Sequence, residues 1–148
     1  MNTNIVVAHG GGPTPVINAS LAGVLKEAKK REGGRVLAAL HGIEGLLKEQ
    51  FVDLTDLGDT DIGRLKNTPS SAIGTCRYKL KEQDPGTIVS ILKKRGVGYF
   101  LYNGGNDSMD TCLQMSDISD DLRVIGIPKT IDNDLAVTDH SPGFGSTA

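Results

Sequence analysis

The chain has 148 residues, of which 38% are apolar and 23% are charged, and its formal net charge at pH 7 is −2. This balance is typical of one globular domain and excludes a disordered chain. The absence of a basic stripe argues against nucleic-acid binding, and no run approaches the roughly 18 apolar residues that span a bilayer. We therefore expect a globular domain that binds neither nucleic acid nor membrane.

Apolar runs and helical spacings alternate along the chain. In chain order they predict a strand at 4–9, a helix at 17–32, a strand at 35–40, a short helix at 43–48, a short strand at 51–54, a helix at 84–95, a strand at 99–102, a helix ending near 115 and a strand at 123–127. Residues 55–81 are polar and turn-rich, and residues 143–148 resemble the start of another helix. The alternation predicts an α/β, Rossmann-like three-layer domain with a mostly parallel sheet.

The cysteines and the N-terminus indicate the compartment. Cys76 and Cys112 are far apart and lack the spacing of metal ligands, which favours reduced thiols. The N-terminal residues are polar and lack the pattern of a signal peptide. We expect a cytoplasmic protein.

Three polar or glycine-rich loops, at 10–16, 103–108 and 128–134, each follow a predicted strand. Ligands of parallel sheets bind beyond the carboxyl ends of the strands, so the loops should converge on one site. In the first loop, Gly10-Gly11-Gly12 would let backbone N–H groups approach a phosphate next to a helix N-terminus. No Walker A lysine follows the glycines, and a simple tight turn is the alternative interpretation.

The second loop repeats this design, because Asp107 and Ser108 follow the glycine pair Gly104-Gly105. Either Asp107 or Ser108 can cap the next helix, which is the structural alternative to a binding role. A carboxylate repels anions, so Asp107 would exclude part of a larger phosphate ligand or help to hold a metal ion.

The third loop places Thr130, Asp132 and Asp134 next to Lys129. Asp132 and Asp134 would share one side if this segment stays extended. One carboxylate could accept a proton from an attacking hydroxyl while the other organises a metal ion, and Lys129 could bind a phosphate. A solvated acidic turn is the alternative for this loop alone, but the three loops together favour phosphoryl transfer.

These loops resemble the phosphofructokinase family in motif, order and spacing. The matching segments are Gly11-Gly12-x-x-Pro15-x-x-Asn18, Gly104-Gly105-Asn106-Asp107-Ser108 and Pro128-Lys129-Thr130-Ile131-Asp132-Asn133-Asp134. The resemblance covers essentially all of the chain, and the last segment is highly specific. It implies that residues 1–148 are the N-terminal portion of a phosphofructokinase catalytic domain. The expected reaction is phosphoryl transfer to the 1-hydroxyl of fructose 6-phosphate.

The resemblance also implies roles for individual residues. They are Asp132, Lys129 and Asp107 in catalysis, Gly11, Gly12 and Arg77 at the donor phosphate, Thr130, Ile131 and Asp132 at the substrate, and Asn106 and Asp134 at Mg²⁺. Asp132 would be the base that accepts the proton of the 1-hydroxyl. Members of the family are usually oligomers, which implies a homo-oligomer.

Two positions bear on the phosphoryl donor. Members of the family that use ATP carry glycine at the positions of Asp107 and Lys129, whereas members that use pyrophosphate carry aspartate and lysine there. Asp107 would repel the α-phosphate of a nucleotide, and Lys129 would stabilise a small, highly charged donor. The resemblance therefore favours pyrophosphate, with an ATP-dependent enzyme as the alternative.

The chain departs from the family pattern in three respects. Asn106 stands where many members have aspartate. Its amide oxygen could still coordinate magnesium, but unlike a carboxylate it carries no charge. Val16 replaces a glycine of the first loop, and a β-branched residue narrows the accessible backbone conformations. Family chains continue well beyond 148 residues and carry further sugar-phosphate contacts there. A truncated, non-catalytic fragment that binds phosphate or a partner subunit is therefore a further alternative.

Overall fold

The structure, a computed structural model, describes residues 3–31 and 33–146. Its strands are β1 (Asn4–His9), β2 (Val36–Ala39), β3 (Phe51–Asp53), β4 (Val97–Gly104) and β5 (Arg123–Pro128). Its helices are α1 (Ile17–Lys30), α2 (Gly42–Leu47), α3 (Asp59–Lys66), α4 (Asp84–Lys94) and α5 (Asn106–Ile118). Apart from α3, each element lies where the periodicity predicts it, with ends that differ by a few residues.

The strands form a five-stranded sheet in the order β3-β2-β1-β4-β5. All neighbours are parallel except β2 and β3, which are antiparallel. The predicted mostly parallel α/β sheet is confirmed. The connection between β2 and β3 contains helix α2, and the antiparallel strand β3 lies at the edge of the sheet, where it pairs with β2 alone.

Helices cover both faces of the sheet, which gives the expected three layers. On one face, Val6 and Phe100 belong to a buried cluster that includes residues of α2, α4 and α5. On the other face, Val7 packs with Leu21 of α1 and Ile62 of α3. Within the described residues, no helix has both the length and the apolar character needed to cross a membrane.

Helix α3 lies inside the segment 55–81, for which the sequence predicts turns, so that prediction is wrong for these eight residues. Ile62 is the buried residue of this helix, Leu65 is partly buried against the same cluster, and two apolar positions in eight residues are too few to establish a helical periodicity. The available signal was electrostatic, because the acidic residues Asp59 and Asp61 lie in the first turn and basic residues lie in the last. Such charges complement the helix macrodipole.

The predicted start of a helix at 143–148 also differs from the structure over the residues that are described. Gly143 forms an isolated bridge with Thr130, and residues 144–146 are turns. Gly143 has a φ of +104°, which a regular helix does not accommodate. Residues 147 and 148 lie outside the described part of the chain.

The strand register brings the three loops together. His9 at the end of β1 pairs with Asn103 of β4, and Gly104 pairs with Pro128 at the end of β5. The loops that follow these three strands therefore leave the same edge of the sheet side by side. The predicted convergence of residues 10–16, 103–108 and 128–134 is confirmed.

Candidate active site

An open cleft of about 790 Å³ lies above the carboxyl ends of β1, β4 and β5. All ten residues predicted for the site line this cleft; they are Gly11, Gly12, Arg77, Asn106, Asp107, Lys129, Thr130, Ile131, Asp132 and Asp134. Arg77 comes from the irregular segment after α3, and the others come from the three loops and the start of α5. The structure thus places every candidate in one site.

The glycine loop after β1 is shaped by close backbone packing. Gly11 has a φ of +73°, in the left-handed region that favours glycine. A β-carbon at Gly10 would collide with the hydroxyl groups of Tyr102 and Ser108. The N–H groups of Gly10 and Gly11 donate to the carbonyls of Asn103 and Cys76, at 2.8 and 2.9 Å. These two N–H groups therefore serve the fold and are not offered to a phosphate in this conformation.

Val16, the departure from the family pattern in this loop, is accommodated without strain. It is the N-cap of α1 and has a φ of −86° and a ψ of −15°. A β-branched residue can adopt this right-handed conformation. Valine at this position therefore needs no strained backbone.

Two cations flank the glycine loop. The Lys129 ammonium group donates a hydrogen bond to the carbonyl of Gly12, although Lys129 is only 5% exposed. Arg77 Nη2 lies 3.7 Å from the position that a β-carbon of Gly12 would occupy. Burial lowers the pKa of Lys129, and the neighbouring charge of Arg77 lowers it further. The cleft wall at this point is therefore positively charged and favours an anion.

The Thr130 end of the third loop is fixed by hydrogen bonds. The Thr130 N–H donates to the carbonyl of Pro142 at 2.9 Å, and the Asp132 N–H donates to Thr130 Oγ1 at 3.1 Å. The Asp132 side chain is exposed and lines the cleft. Its carboxylate is therefore held by an anchored backbone and is accessible to a substrate hydroxyl.

The segment that contains Asp132 and Asp134 is not extended, so the condition under which they were expected to share one side is not met. Asn133, between them, has a φ of +53°, and its side chain accepts the Ser141 N–H at 2.7 Å and donates to the Asp139 carbonyl at 3.1 Å. These bonds close a turn that changes the direction of the backbone. Both carboxylates nevertheless line the cleft.

The residues predicted for a metal ion lie in contact with each other. Asn106 Nδ2 donates to Asp134 Oδ2 at 3.0 Å, across two loops. Among the described residues, no group of three or more His, Cys, Asp or Glu side chains has a metal-binding arrangement. One carboxylate and one amide oxygen fit Mg²⁺, which commonly binds to one or two protein oxygens and to substrate phosphates.

The cleft is also lined by residues that the sequence patterns did not indicate. They are Thr14, Tyr78, Lys79, Ser108, Asp110 and Gln114, with Cys76, Leu80, Tyr102, Pro13, Gly105 and Thr111. Asp110 and Gln114 lie three and seven residues after Asp107, so helical spacing could have found them. Lys79 lies in an irregular segment, where no periodicity points to it.

His9 lies behind the cleft and has a structural role, as its position at the end of a buried strand suggests. The side chain is fully buried, and its Nδ1 shares a hydrogen bond of 2.8 Å with Ser71 Oγ. Burial lowers the pKa of His9 to about 4, and the positive charge of Lys129 lowers it in the same direction. The imidazole is therefore neutral at pH 7.

Comparison with known proteins gives consistent matches over nearly the whole chain. The family model described as Phosphofructokinase matches residues 4–148. The pyrophosphate–fructose 6-phosphate 1-phosphotransferase of Xanthomonas campestris pv. campestris (strain B100) is 49% identical over 156 residues, which cover 99% of this chain and 37% of that protein. The protein of the same name from Methylococcus capsulatus (strain Bath) is 44% identical over 156 residues, which cover 98% of this chain and 37% of that protein.

A solved structure supports the same relationship. The crystal structure of the pyrophosphate-dependent phosphofructokinase from Marinobacter aquaeolei superposes with a TM-score of 0.90 at 42% sequence identity. The match covers 97% of this chain and 37% of that chain. The chain thus spans a little over one third of the length of these relatives.

Proposed function

The chain belongs to the phosphofructokinase family, and we propose that it provides the donor site and the catalytic loop for phosphoryl transfer from pyrophosphate to fructose 6-phosphate. In this proposal residues 1–148 are the N-terminal portion of the catalytic domain. The product is fructose 1,6-bisphosphate, formed in glycolysis or, in the reverse direction, consumed in gluconeogenesis.

One observation carries the proposal: the buried Lys129 ammonium group contacts the glycine loop next to Arg77. The energetic cost of burying a charge is recovered only when the charge has a partner. The Gly12 carbonyl is a neutral partner, whereas a phosphate oxygen in the cleft would carry a charge. Two cations at one loop suit a compact polyanion such as pyrophosphate.

Asp107 supports pyrophosphate over ATP as the donor. It lies in the first turn of α5 and lines the same cleft as Lys129. A nucleotide would carry a third phosphate and a nucleoside past this carboxylate, and like charges at short range repel each other. Pyrophosphate ends before that point, so Asp107 disfavours the larger donor.

The proposed reaction uses Asp132 as the general base. Its carboxylate accepts the proton of the 1-hydroxyl of fructose 6-phosphate, and the hydroxyl oxygen attacks the terminal phosphorus of pyrophosphate. The bridging P–O bond breaks, and orthophosphate leaves with the bonding electron pair. Lys129 and Arg77 stabilise the charge that develops on the leaving group. Thr130 and Ile131, which directly precede Asp132 in sequence, contribute to the sugar-phosphate side of the cleft.

Mg²⁺ is the proposed cofactor. Asp134 and Asn106 would hold it, with the remaining positions filled by donor oxygens and water. When bound, the ion neutralises phosphate charge. The hydrogen bond between Asn106 and Asp134 keeps the two side chains together, so both can turn an oxygen towards one ion.

The proposal also includes a cytoplasmic homo-oligomer. Cys76 and Cys112 are free thiols, which suits a reducing compartment. Leu113 and Ile125 are 63% and 43% exposed next to the outer edge of β5, and exposed apolar side chains at a sheet edge favour association.

The test is a coupled assay on the purified chain. Fructose 6-phosphate and magnesium are supplied with either pyrophosphate or ATP, and fructose 1,6-bisphosphate is detected through aldolase. We expect turnover when pyrophosphate is the donor and no turnover when ATP is the donor. Asp132→Ser should reduce that turnover by roughly 10²- to 10⁴-fold, which is the usual contribution of a general base. Asp117→Asn, an exposed position of α5 outside the cleft, is the matched control.

The possible outcomes separate the alternatives. Turnover with ATP alone would contradict the donor assignment, and full activity in Asp132→Ser would contradict the base assignment. If neither donor supports turnover, titration calorimetry with pyrophosphate decides between a chain that retains the donor site and one that does not. Binding without turnover would identify a phosphate-binding fragment.

A further inference from the structure

One wall of the cleft is an irregular segment, residues 76–81, here called the wall segment. It carries Arg77 and Lys79 and contributes its first five residues to the lining of the cleft. Beyond Cys76, which forms an isolated bridge with Gly10, it has no regular secondary structure. Such a segment needs other hydrogen bonds to hold one conformation, because ordering a free backbone costs roughly 1–2 kcal/mol per residue.

The start of the wall segment is attached to the glycine loop. The Gly11 N–H donates to the Cys76 carbonyl at 2.9 Å, and Thr75 Oγ1 donates to the Gly11 carbonyl at 2.7 Å. These bonds fix the chain immediately before Arg77. They leave the far end of the segment to be held by something else.

Asp84, the first residue of α4, holds the far end. It is only 6% exposed, and its Oδ2 accepts two hydrogen bonds, from the Tyr78 hydroxyl at 2.9 Å and from the Lys81 N–H at 2.8 Å. The Asp84 N–H in turn donates to the Lys81 carbonyl at 3.0 Å. A single carboxylate therefore links two points of the wall segment to the rigid start of a helix.

This carboxylate does not cap its own helix. Helix α4 has no side-chain cap hydrogen bond at its N-terminus, and Asp84 instead points back to the wall segment. Its place in the first turn still suits a negative charge, because the helix N-terminus is partially positive. The pKa of Tyr78 is raised, chiefly because its hydroxyl donates to Asp84. Sequence position alone would suggest a capping residue, and the contacts indicate a different task.

We propose that Asp84 is a positioning residue, which holds the wall segment in the conformation that presents Arg77 to the donor. This inference rests on the proposed function, in which the cleft binds pyrophosphate. Without the two hydrogen bonds to Asp84, the wall segment would have to become ordered each time a donor binds. The cost of that ordering would be subtracted from the affinity.

The test compares four variants with the unmodified chain. Asp84→Ala removes both hydrogen bonds, and Tyr78→Phe removes one of them while keeping the ring. Asp84→Asn is the conservative variant, because both bonds reach one oxygen and a carboxamide oxygen can accept both. Asp53→Ala is the matched control, since Asp53 accepts comparable bonds from Thr55 at the edge strand β3 but lies outside the cleft.

Two measurements are made on each variant. Titration calorimetry gives the dissociation constant for pyrophosphate, and hydrogen exchange followed by mass spectrometry reports on residues 77–83 without any ligand. We expect Asp84→Ala to weaken pyrophosphate binding by about tenfold, or about 1.4 kcal/mol, and Tyr78→Phe to weaken it about threefold. Exchange of the wall segment should accelerate in Asp84→Ala. Asp84→Asn should restore both properties, and Asp53→Ala should change neither.

The two readouts distinguish this inference from the proposed function. If the unmodified chain does not bind pyrophosphate, the proposed donor site fails, and exchange alone then decides whether Asp84 orders the wall segment. Unchanged exchange in Asp84→Ala would overturn the inference. So would unchanged pyrophosphate affinity in a folded Asp84→Ala or Tyr78→Phe chain, because the hydrogen bonds to Asp84 would then contribute nothing to donor binding.

Discussion

Replacement of Lys129 by methionine tests the chemistry of the cleft most directly. Lys129 lies almost entirely out of water, and its ammonium group donates to the Gly12 carbonyl. Methionine has a similar length and removes the charge without opening a large cavity. The variant therefore separates a lysine that binds an anion from one that supports the fold.

The expected loss of affinity follows from the contacts. An ammonium group at this position would make a charge-assisted hydrogen bond to a phosphate oxygen, which is worth about 1.5–3 kcal/mol. Lys129→Met should therefore weaken pyrophosphate binding by roughly 10- to 150-fold. Arg77 remains in place and always carries its charge, so some binding should persist.

The expected effect on stability is small. The variant loses a hydrogen bond to a neutral carbonyl, worth about 0.5–1.5 kcal/mol, but it also removes the cost of a buried ammonium group. These effects oppose each other, so the free energy of unfolding should change by no more than about 1 kcal/mol. A large loss of affinity with little change in stability is the signature of a binding residue.

Calorimetry with pyrophosphate and urea denaturation measure the two quantities, and Lys66→Met on the exposed surface of α3 is the control. Because the pKa of Lys129 is lowered, pyrophosphate affinity of the unmodified chain should fall as the pH rises through that pKa, at a lower pH than for an ordinary lysine. The variant should lack this dependence. An affinity within threefold of the unmodified chain, together with a loss of about 3 kcal/mol in stability, would show that Lys129 supports the fold and does not bind the anion.

Two further predictions concern the fold around the cleft. The pKa of His9 is about 4 in the folded chain against an ordinary value of 6.5. As the pH is lowered, the histidine of the unfolded chain therefore binds a proton before that of the folded chain does. The free energy of unfolding should fall by about 3 kcal/mol between pH 6.5 and pH 4. Urea denaturation across this range should show a shallower decrease for His9→Gln, and an identical decrease would contradict the assignment. Gly10→Ala should destabilise the fold by about 1–3 kcal/mol, because its β-carbon would collide with Tyr102 and Ser108. Gly63 is a helical position with nothing within 4 Å of the added carbon, so Gly63→Ala should instead stabilise the fold by about 0.5–1 kcal/mol. Thermal unfolding measures both variants, and a lower melting temperature for Gly63→Ala than for Gly10→Ala would contradict the packing argument.

Much of the architecture could be predicted because it depends on local patterns. The apolar run at 4–9 and the helical spacing after residue 17 report burial directly, and both elements lie where the patterns indicate. The sequence did not predict helix α3, because its apolar side chains are few and its buried residue, Ile62, packs against distant parts of the chain. Its burial is a tertiary property that no local window contains.

In the candidate site, too, local patterns predicted the residues, whereas tertiary contacts set their geometry. All the residues selected from the three loops line one cleft, since the carboxyl ends of parallel strands meet at one edge. The segment that contains Asp132 and Asp134 is not extended, because the conformation of Asn133 is set by hydrogen bonds to residues 139 and 141. Lys79 and Asp84 could not be selected, since their relation to the cleft arises from an irregular segment.

Local patterns along the chain were enough to predict the alternation of strands and helices, the loops that carry the chemistry and the charged residues at positions 107, 129 and 132. Those features depend on residue type and on short-range spacing, which can be read along the chain. In contrast, the contact of the Lys129 ammonium group with the Gly12 carbonyl and the hydrogen bonds from Asp84 to the wall segment arise only in the folded chain. The physical reason is that burial and hydrogen-bond partners are set by residues far apart in sequence, so they exist only once the sheet has aligned its loops.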